Sequence, residues 1–372
     1  MSTGSVAKVS LEAIRHNLEG VRRRVGDRLV MPAVKADGYG LGAVPISRMI
    51  EETGVADRLA VALVSEGVAL REAGIRLPLM KLSRTLGVDE AAAALGAGMT
   101  VPVVDELSIR EVAEAARQTG VEAEVHLKVD TGMRRIGVEP EQAAALAELA
   151  VKTGGVRLTG VFSHMPVSDT PSQDDFSRGQ IERFRRICEQ VEQTAGPLTK
   201  HLANSGAILA HPDAWFDLVR PGIMIYGAYP DPKTPRTVPL EPVVRWTTSV
   251  TTVKRIRAGE TVGYGRTWAA PQDTWIATFP VGYADGYSRL LSNRGSVLIR
   301  GRRHPIAGRV CMDQTMADLG PETDVRVGDQ VTLIGSDGDE SITTDDIAAL
   351  MGTIPYEVTC LLGRRVVREY EA

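Results

Sequence analysis

The densest concentration of reactive residue types is Ala33-Val34-Lys35-Ala36-Asp37-Gly38-Tyr39-Gly40-Leu41-Gly42. Lys35 closes an apolar run at 29–34 that reads as a β-strand. A lysine at a strand end is partly withdrawn from water. Desolvation lowers an amine's pKa because the charged form loses hydration. A neutral amine can attack a carbonyl and hold it as an imine. The same position also suits a snorkelling lysine ahead of a Gly-rich turn. Elsewhere, Tyr264 stands between Gly263 and Gly265, and Arg220 precedes Pro221-Gly222. From the residues alone Tyr264 reads as a turn tyrosine between glycines and Arg220 as a surface ion-pair residue.

These residues need a frame, and the hydrophobic pattern supplies one. Apolar runs recur at 29–34, 59–63, 77–82, 100–104, 125–129, 158–163, 200–203 and 218–225. Helical periodicity fills most of the gaps, as at 105–119, 140–153 and 177–194. Leu11, Ile14, Leu18, Val21 and Val25 share a helical face that Ser10 can cap. Strands that are apolar without alternation belong to a parallel sheet covered on both faces. Eight such units predict an α/β fold, a (β/α)8 TIM-type barrel, with reactive groups at the C-terminal strand ends. An open doubly wound sheet is the alternative. In the barrel, Asn204-Ser205-Gly206 closes the seventh strand and Gly222-Ile223 follows the eighth, where barrels often bind phosphate.

Prolines at 230, 232, 235, 239 and 242 read as a linker. Beyond it, runs at 243–256, 276–279, 296–299, 315–319 and 330–334 predict strands, 343–351 a helix and 357–369 a last strand. The expected domains are therefore a barrel over 1–240 and a smaller, mostly β C-terminal domain over 241–372.

Composition excludes several functions. The net charge of −4 over 372 residues leaves no electrostatic footprint for nucleic acid or an anionic membrane. Cys188, Cys311 and Cys360 are scattered and odd in number, which rules out a disulfide framework or a cysteine-based zinc site; no metal is expected. No apolar run reaches membrane-spanning length, and the first ten residues lack the apolar stretch of a signal peptide. The expectation is a soluble cytoplasmic protein with a small-molecule substrate.

The segment VKADGYGLGA resembles the lysine motif of bacterial alanine racemases, which depend on pyridoxal 5'-phosphate. The resemblance continues in order through HLKVDTGMRRIGV (126–138), FSHM (162–165), HLANSGA (201–207), RPGIMIYG (220–227), VGYGRTW (262–268), PVGYADGYSR (280–289), GRVCMDQTM (308–316) and IPYEV (354–358). It covers nearly the whole chain. The family's barrel and β domain agree with the pattern above.

The resemblance implies interconversion of L- and D-alanine by two bases, supplying D-alanine for peptidoglycan. The cofactor acts as an electron sink that acidifies the α-proton. One group cannot easily reach both faces of a planar carbon, so two are wanted. Lys35 would hold the cofactor and serve the D-alanine face, and Tyr264 the L-alanine face. A phenol needs nearby positive charge to act as a base near neutrality, and His164 is implied as its neighbour. Arg220 would face the pyridine nitrogen and weaken the electron sink, because a guanidinium donates a hydrogen bond but does not give up its proton. Tyr39, Asn204, Ser205, Gly222, Ile223 and Tyr356 would hold the cofactor phosphate. Arg135 and Met312 would contact substrate, with Arg134 an ambiguity beside Arg135. Lys128, which is carbamylated in some members, Tyr283 and Asp313 would support the site, and Arg289 and Arg309 would line its approach. A homodimer with shared active sites is also implied.

Overall fold

The structure is a computed structural model that describes residues 4–371. The chain forms two compact units, one from Ile14 to Glu241 and one combining residues up to Ala13 with those from Pro242 onward.

The first strand, β1 (Val6–Ser10), does not belong to the barrel that the 1–240 division would place it in. It pairs antiparallel with a strand at Val244–Ser249 and parallel with one at Val367–Glu371. Helix Leu11–Val25 follows without a break, and its N-terminus is capped by Ser10, whose Oγ accepts from Ala13 N at 3.0 Å. Ile14, Leu18, Val21 and Val25 are all buried, as the periodicity requires.

The barrel unit holds eight parallel strands: β2 (Leu29–Val30), β3 (Leu59–Val61), β4 (Leu79–Lys81), β5 (Met99–Val103), β6 (Ala123–Lys128), β7 (Val156–Phe162), β8 (Thr199–His201) and β9 (Leu218–Val219). β3 to β8 pair in sequence order, and β2 pairs with β9. Two seams complete the ring. Ala60 N donates to Pro32 O and Val34 N to Ala60 O, both at 2.9 Å, joining β2 to β3. Asp217 N donates to Lys200 O at 3.0 Å and Arg220 N to Ala203 O at 2.9 Å, joining β8 to β9. β3, β4 and β5 are buried at every position, which explains their unbroken apolar runs.

Two expectations need correction here. The run at 218–225 is strand for only two residues. Pro221 and Gly222 end it, and Ile223–Tyr226 is a 3-10 turn. The proline-rich stretch is not a free linker: Thr237 Oγ1 donates to Leu209 O at 2.8 Å, and Val238 packs onto Gly20, where a Cβ would lie 2.6 Å from its methyl.

The second unit is mostly β. Its strands are β10 (Val244–Ser249), β11 (Thr252–Ile256), β12 (Thr261–Val262), β13 (Trp268–Ala269), β14 (Thr274–Phe279), β15 (Ser296–Ile299), β16 (Arg302–Pro305), β17 (Thr315–Gly320), β18 (Gln330–Asp337), β19 (Glu340–Ile342) and β20 (Val367–Glu371). The main sheet runs β16-β15-β18-β10-β1-β20, with β19 on β18, and β11-β14-β17 form a second sheet. The expected single strand at 243–256 is thus two strands in different sheets, broken at Val250-Thr251. The expected last strand at 357–369 also divides: Pro355–Cys360 is a helix, with proline at its first position, and only Val367–Glu371 is extended. The helix expected at 343–351 forms at Thr344–Met351 under a Thr343 cap. Among the described residues, no helix is long and apolar enough to cross a membrane and no cluster suits a metal ion.

Candidate active site

Lys35 opens a distorted turn, Lys35–Tyr39, just beyond the bridge that pairs Ala33 with Ala60. Its neighbours Ala36, Asp37 and Tyr39 have φ of 52°, 53° and 56°, and Gly38 has 61°. Four successive residues in the left-handed region make one left-handed turn. Each side-chain-bearing residue there costs roughly 1–2 kcal/mol. Strain of this kind survives only where the surroundings over-determine it. Here Gly38 N donates to Val34 O and Gly40 N to Ala36 O, both at 2.8 Å. Asp37 turns back to accept from Ala43 N at 2.8 Å.

Around Lys35 the barrel unit gathers positive charge. Lys128, at the end of β6, is 5% exposed. Burial, then Arg135, Arg220 and Lys35, push its ammonium down to about 7, with Asp130 opposing them. Lys128 Nζ donates to Leu82 O at 3.1 Å and lies over the Phe162 ring. Asp130 orders the loop after β6, accepting from Gly132 N at 2.8 Å and Arg135 N at 3.1 Å. Arg134 turns outward, at φ 57°, into an ion pair with Glu139 at 2.6 Å. Of the two arginines, Arg135 is the one whose charge reaches Lys128, His164 and Arg220, and it lines a small cleft with Lys128, Ser163 and His164.

Arg220 follows β9 and is 5% exposed. Its Nη2 donates to Ser163 O at 2.7 Å and Leu202 O at 2.9 Å, and its Nη1 lies 2.7 Å from His201 Nδ1. Burial and Arg135 lower its guanidinium to about 9, so it stays protonated at neutral pH. Its Nε–H donates to nothing among the described residues. Sequence reasoning passed over His126 and His201. His201 stacks flat on Phe162 at 4.7 Å, and its Nε2 meets His126 Nδ1 at 2.7 Å. Because the guanidinium can only donate, His201 accepts at Nδ1 and donates from Nε2. Burial and neighbouring cations keep both rings neutral, His126 down to about 3. The signal available was a buried histidine recurring in β6 and β8, His126 and His201, each directly followed by a leucine.

His164 corrects an expectation. Burial first, then Arg220, Arg135, Lys128 and Lys35, hold it well below the ordinary imidazole value. It is therefore neutral, and the positive charge in this unit resides on the lysines and arginines. Gln180 fixes its backbone, donating to His164 O and Thr131 Oγ1 at 2.8 Å each.

The loops after β8 and β9 meet Tyr39. Asn204 caps helix Ser205–Ala210, accepting from Ala207 N at 3.1 Å and from Ser168 Oγ at 2.6 Å. Ser205 Oγ accepts from Gly222 N at 2.8 Å. A Cβ on Gly222 would lie 2.6 Å from Tyr39 Oη, so glycine is required for the close approach. The Ile223 N–H donates to nothing among the described residues. Tyr39 stacks on Tyr226 at 4.6 Å, and Tyr226 Oη donates to Ala33 O at 2.9 Å.

These residues fit pyridoxal 5'-phosphate. A half-buried amine stands in a group of cations. An arginine keeps one N–H undirected. A cradle of hydroxyls and backbone N–H is walled by a glycine that admits no side chain. Lys35 would hold the aldehyde, Arg220 the ring nitrogen, and Tyr39, Ser205, Gly222 and Ile223 the phosphate.

In the β unit, Tyr264 sits at the tip between β12 and β13 and is 71% exposed. A Cβ on Gly265 would lie 3.0 Å from the Arg309 guanidinium, so glycine there lets that cation approach the backbone beside Tyr264. Met312 is 51% exposed and its N–H donates to nothing among the described residues. Its carbonyl accepts from Ala284 N at 3.1 Å, and the Cys311 carbonyl accepts from Tyr283 N at 3.0 Å. Arg365 clamps the two segments: Nε and Nη2 donate to Asp285 at 3.0 and 3.1 Å, and Nη1 donates to Asp313 at 2.7 Å. Tyr283 and Arg289 are exposed, and Tyr356 is half-buried near the start of helix Pro355–Cys360.

Comparison with known proteins covers both units. Residues 9–230 match the family of alanine racemase N-terminal domains, and residues 243–370 that of alanine racemase C-terminal domains. The chain is 50% identical over 365 residues to the alanine racemase of Cutibacterium acnes, covering 98% of this chain and 97% of that protein. It is 41% identical over 369 residues to the alanine racemase of Desulforamulus reducens, covering 98% of each. The crystal structure of alanine racemase from D-cycloserine-producing Streptomyces lavendulae is similar at a TM-score of 0.93 and 35% identity, covering 100% of this chain and 98% of that one. That of Bacillus anthracis with bound L-Ala-P is similar at 0.92 and 31% identity, covering 100% and 96%. Matched from end to end by sequence and fold, the chain belongs to the alanine racemase family.

Proposed function

We propose that this chain interconverts L- and D-alanine with Lys35 and Tyr264 as the two bases. The observation that carries the reading is the cation group around Lys35, set beside a cradle fit for phosphate. Pyridoxal 5'-phosphate, the family's cofactor, supplies the electron sink that makes the α-proton acidic.

Lys35 Nζ binds the cofactor and exchanges the α-proton on the D-alanine face. Tyr264 Oη exchanges it on the L-alanine face. Arg135 orients the substrate carboxylate by charge, and the Met312 N–H donates to the same group. Arg220 donates toward the ring nitrogen without yielding its proton, held by His201 and two carbonyls. That weakens charge delocalisation and suppresses transamination. His164, being neutral, serves Tyr264 as a hydrogen-bonding partner rather than as a cation. Arg309 beside Gly265 is a source of positive charge within Tyr264's own unit. Tyr356 and Asn204 complete the phosphate end, and Lys128, Tyr283 and Asp313 support the site.

The chain works as a homodimer whose sites take Lys35 from one protomer and Tyr264 from the other. The exposure of Tyr264 supports this, because a base needs a dry, walled site that its own hairpin does not provide. It acts in the cytoplasm and supplies D-alanine for peptidoglycan. Racemisation measured over a panel of L-amino acids tests the reading. Alanine should be turned over fastest, and a preference for serine or no racemisation with cofactor bound would overturn it.

A further inference from the structure

The first peptide of the left-handed turn after Lys35 is supported by a side chain from the next strand–helix unit. Ala36 N donates to Glu66 Oε1 at 2.6 Å. Glu66 lies in the first turn of helix Val64–Glu72, which follows β3. Its other oxygen, Oε2, accepts from Ala62 N at 2.7 Å and Leu63 N at 3.0 Å. One carboxylate therefore joins the loop after β2 to the loop after β3, with one oxygen on each. All three partners are N–H donors, so only an acceptor-only group satisfies both sides; a carboxamide would turn its NH2 toward one of them.

The contact falls on the peptide that leaves Lys35. A peptide unit is planar, so fixing the Ala36 N–H fixes the plane of the bond between Lys35 and Ala36. The far end of the turn is pinned separately by Tyr39 on Tyr226. We propose that Glu66 is a positioning residue for Lys35. It holds the left-handed turn at its first peptide and so sets the direction in which the lysine side chain leaves the backbone. The inference rests on the reading of Lys35 as the residue that carries the cofactor.

Two variants of the full-length enzyme separate this role from helix capping. Glu66→Asp is one methylene shorter; it can still cap Ala62 and Leu63 but no longer reaches Ala36. Glu66→Gln keeps the length and loses one acceptor. Four quantities are measured: the cofactor dissociation constant, the acetylation rate of Lys35 relative to exposed Lys254 in cofactor-free protein, kcat and KM, and Tm. For Glu66→Asp we expect cofactor binding weakened about tenfold, a relative Lys35 acetylation rate changed at least about threefold, kcat down about tenfold with KM unchanged, and Tm close to wild type. Glu66→Gln should fall between Glu66→Asp and wild type. Wild-type cofactor affinity and acetylation ratio in both variants would overturn the role. So would losses that track Tm and alter both lysines alike. Borohydride fixation and peptide mapping of the wild type tests the underlying reading by itself. Cofactor on Lys35 with unchanged variants defeats Glu66 alone, whereas cofactor on another lysine defeats both.

Discussion

The surroundings of Lys35 and those of Tyr264 are built in opposite ways. Lys35 stands among buried cations, a hydrogen-bonded histidine pair and a strained turn. Tyr264 stands at the tip of two-residue strands, exposed, with glycine on both sides. The first arrangement perturbs its groups within its own fold: Lys128 and Arg220 are shifted strongly by burial and by one another. The second offers a side chain that something else must surround. A barrel mouth can be prepared in advance, while an exposed hairpin leaves its side chain without such surroundings in its own unit.

Removing the prepared half should do the most damage. If Lys35 is both anchor and base, as proposed, Lys35→Ala should lower racemisation by ~10⁴-fold or more, with no cofactor fixed by borohydride. Substantial residual turnover would place the anchor elsewhere. Tyr264→Phe should keep the cofactor and lose racemisation by about 10²–10³-fold. Exchange of the α-proton should fall further from L-alanine than from D-alanine; equal losses would make Tyr264 a positioning group.

The two halves can then be recombined. If sites are shared, mixing Lys35→Ala with Tyr264→Phe chains produces mixed dimers with one doubly altered and one intact site. Random pairing makes about a quarter of all sites intact. Silence after confirmed subunit exchange would show that each site is built within one chain.

The smallest effect concerns charge in the prepared half. Lys128 gives up its proton near 7 when folded, against about 10.4 for a free lysine. Between those values the unfolded chain binds the extra proton, so this group's contribution to stability improves as pH rises from 7 and is most unfavourable below it. In cofactor-free protein, Lys128→Met should be stabilising at pH 6, and its advantage in Tm should shrink by pH 9. A constant difference across that range would mean the amine is not depressed.

The two regions also differed in how far they could be read from sequence. The parallel strands were most legible where burial on both faces leaves an apolar run, as in Leu59–Val61. Lys35 and Tyr264 were legible through motifs. The hairpin under Tyr264 was not: β12 and β13 have two residues each, too few for any periodicity. β1 was missed because it alternates in burial and reads as a polar N-terminus. Its partners lie more than 230 residues away. His126 and His201 escaped for a different reason. Their role depends on which strands are neighbours in three dimensions and on a guanidinium supplied by a third.

The placement of β1 sets a schedule for synthesis. It lies inside the main sheet, between β10 and β20, and pairs residue for residue with the end of the chain, Val6 with Val367. The ribosome releases β1 long before β20. At roughly 5–20 residues per second, the stretch from Val6 to Val367 takes about 20–70 s to make. Until β10 emerges β1 has both edges unpaired, and until β20 emerges it still has one, while the barrel that follows it has every strand it needs before either partner is made. The nascent chain therefore carries an open edge strand ahead of a finished barrel, and chaperone demand should fall on its first ten residues.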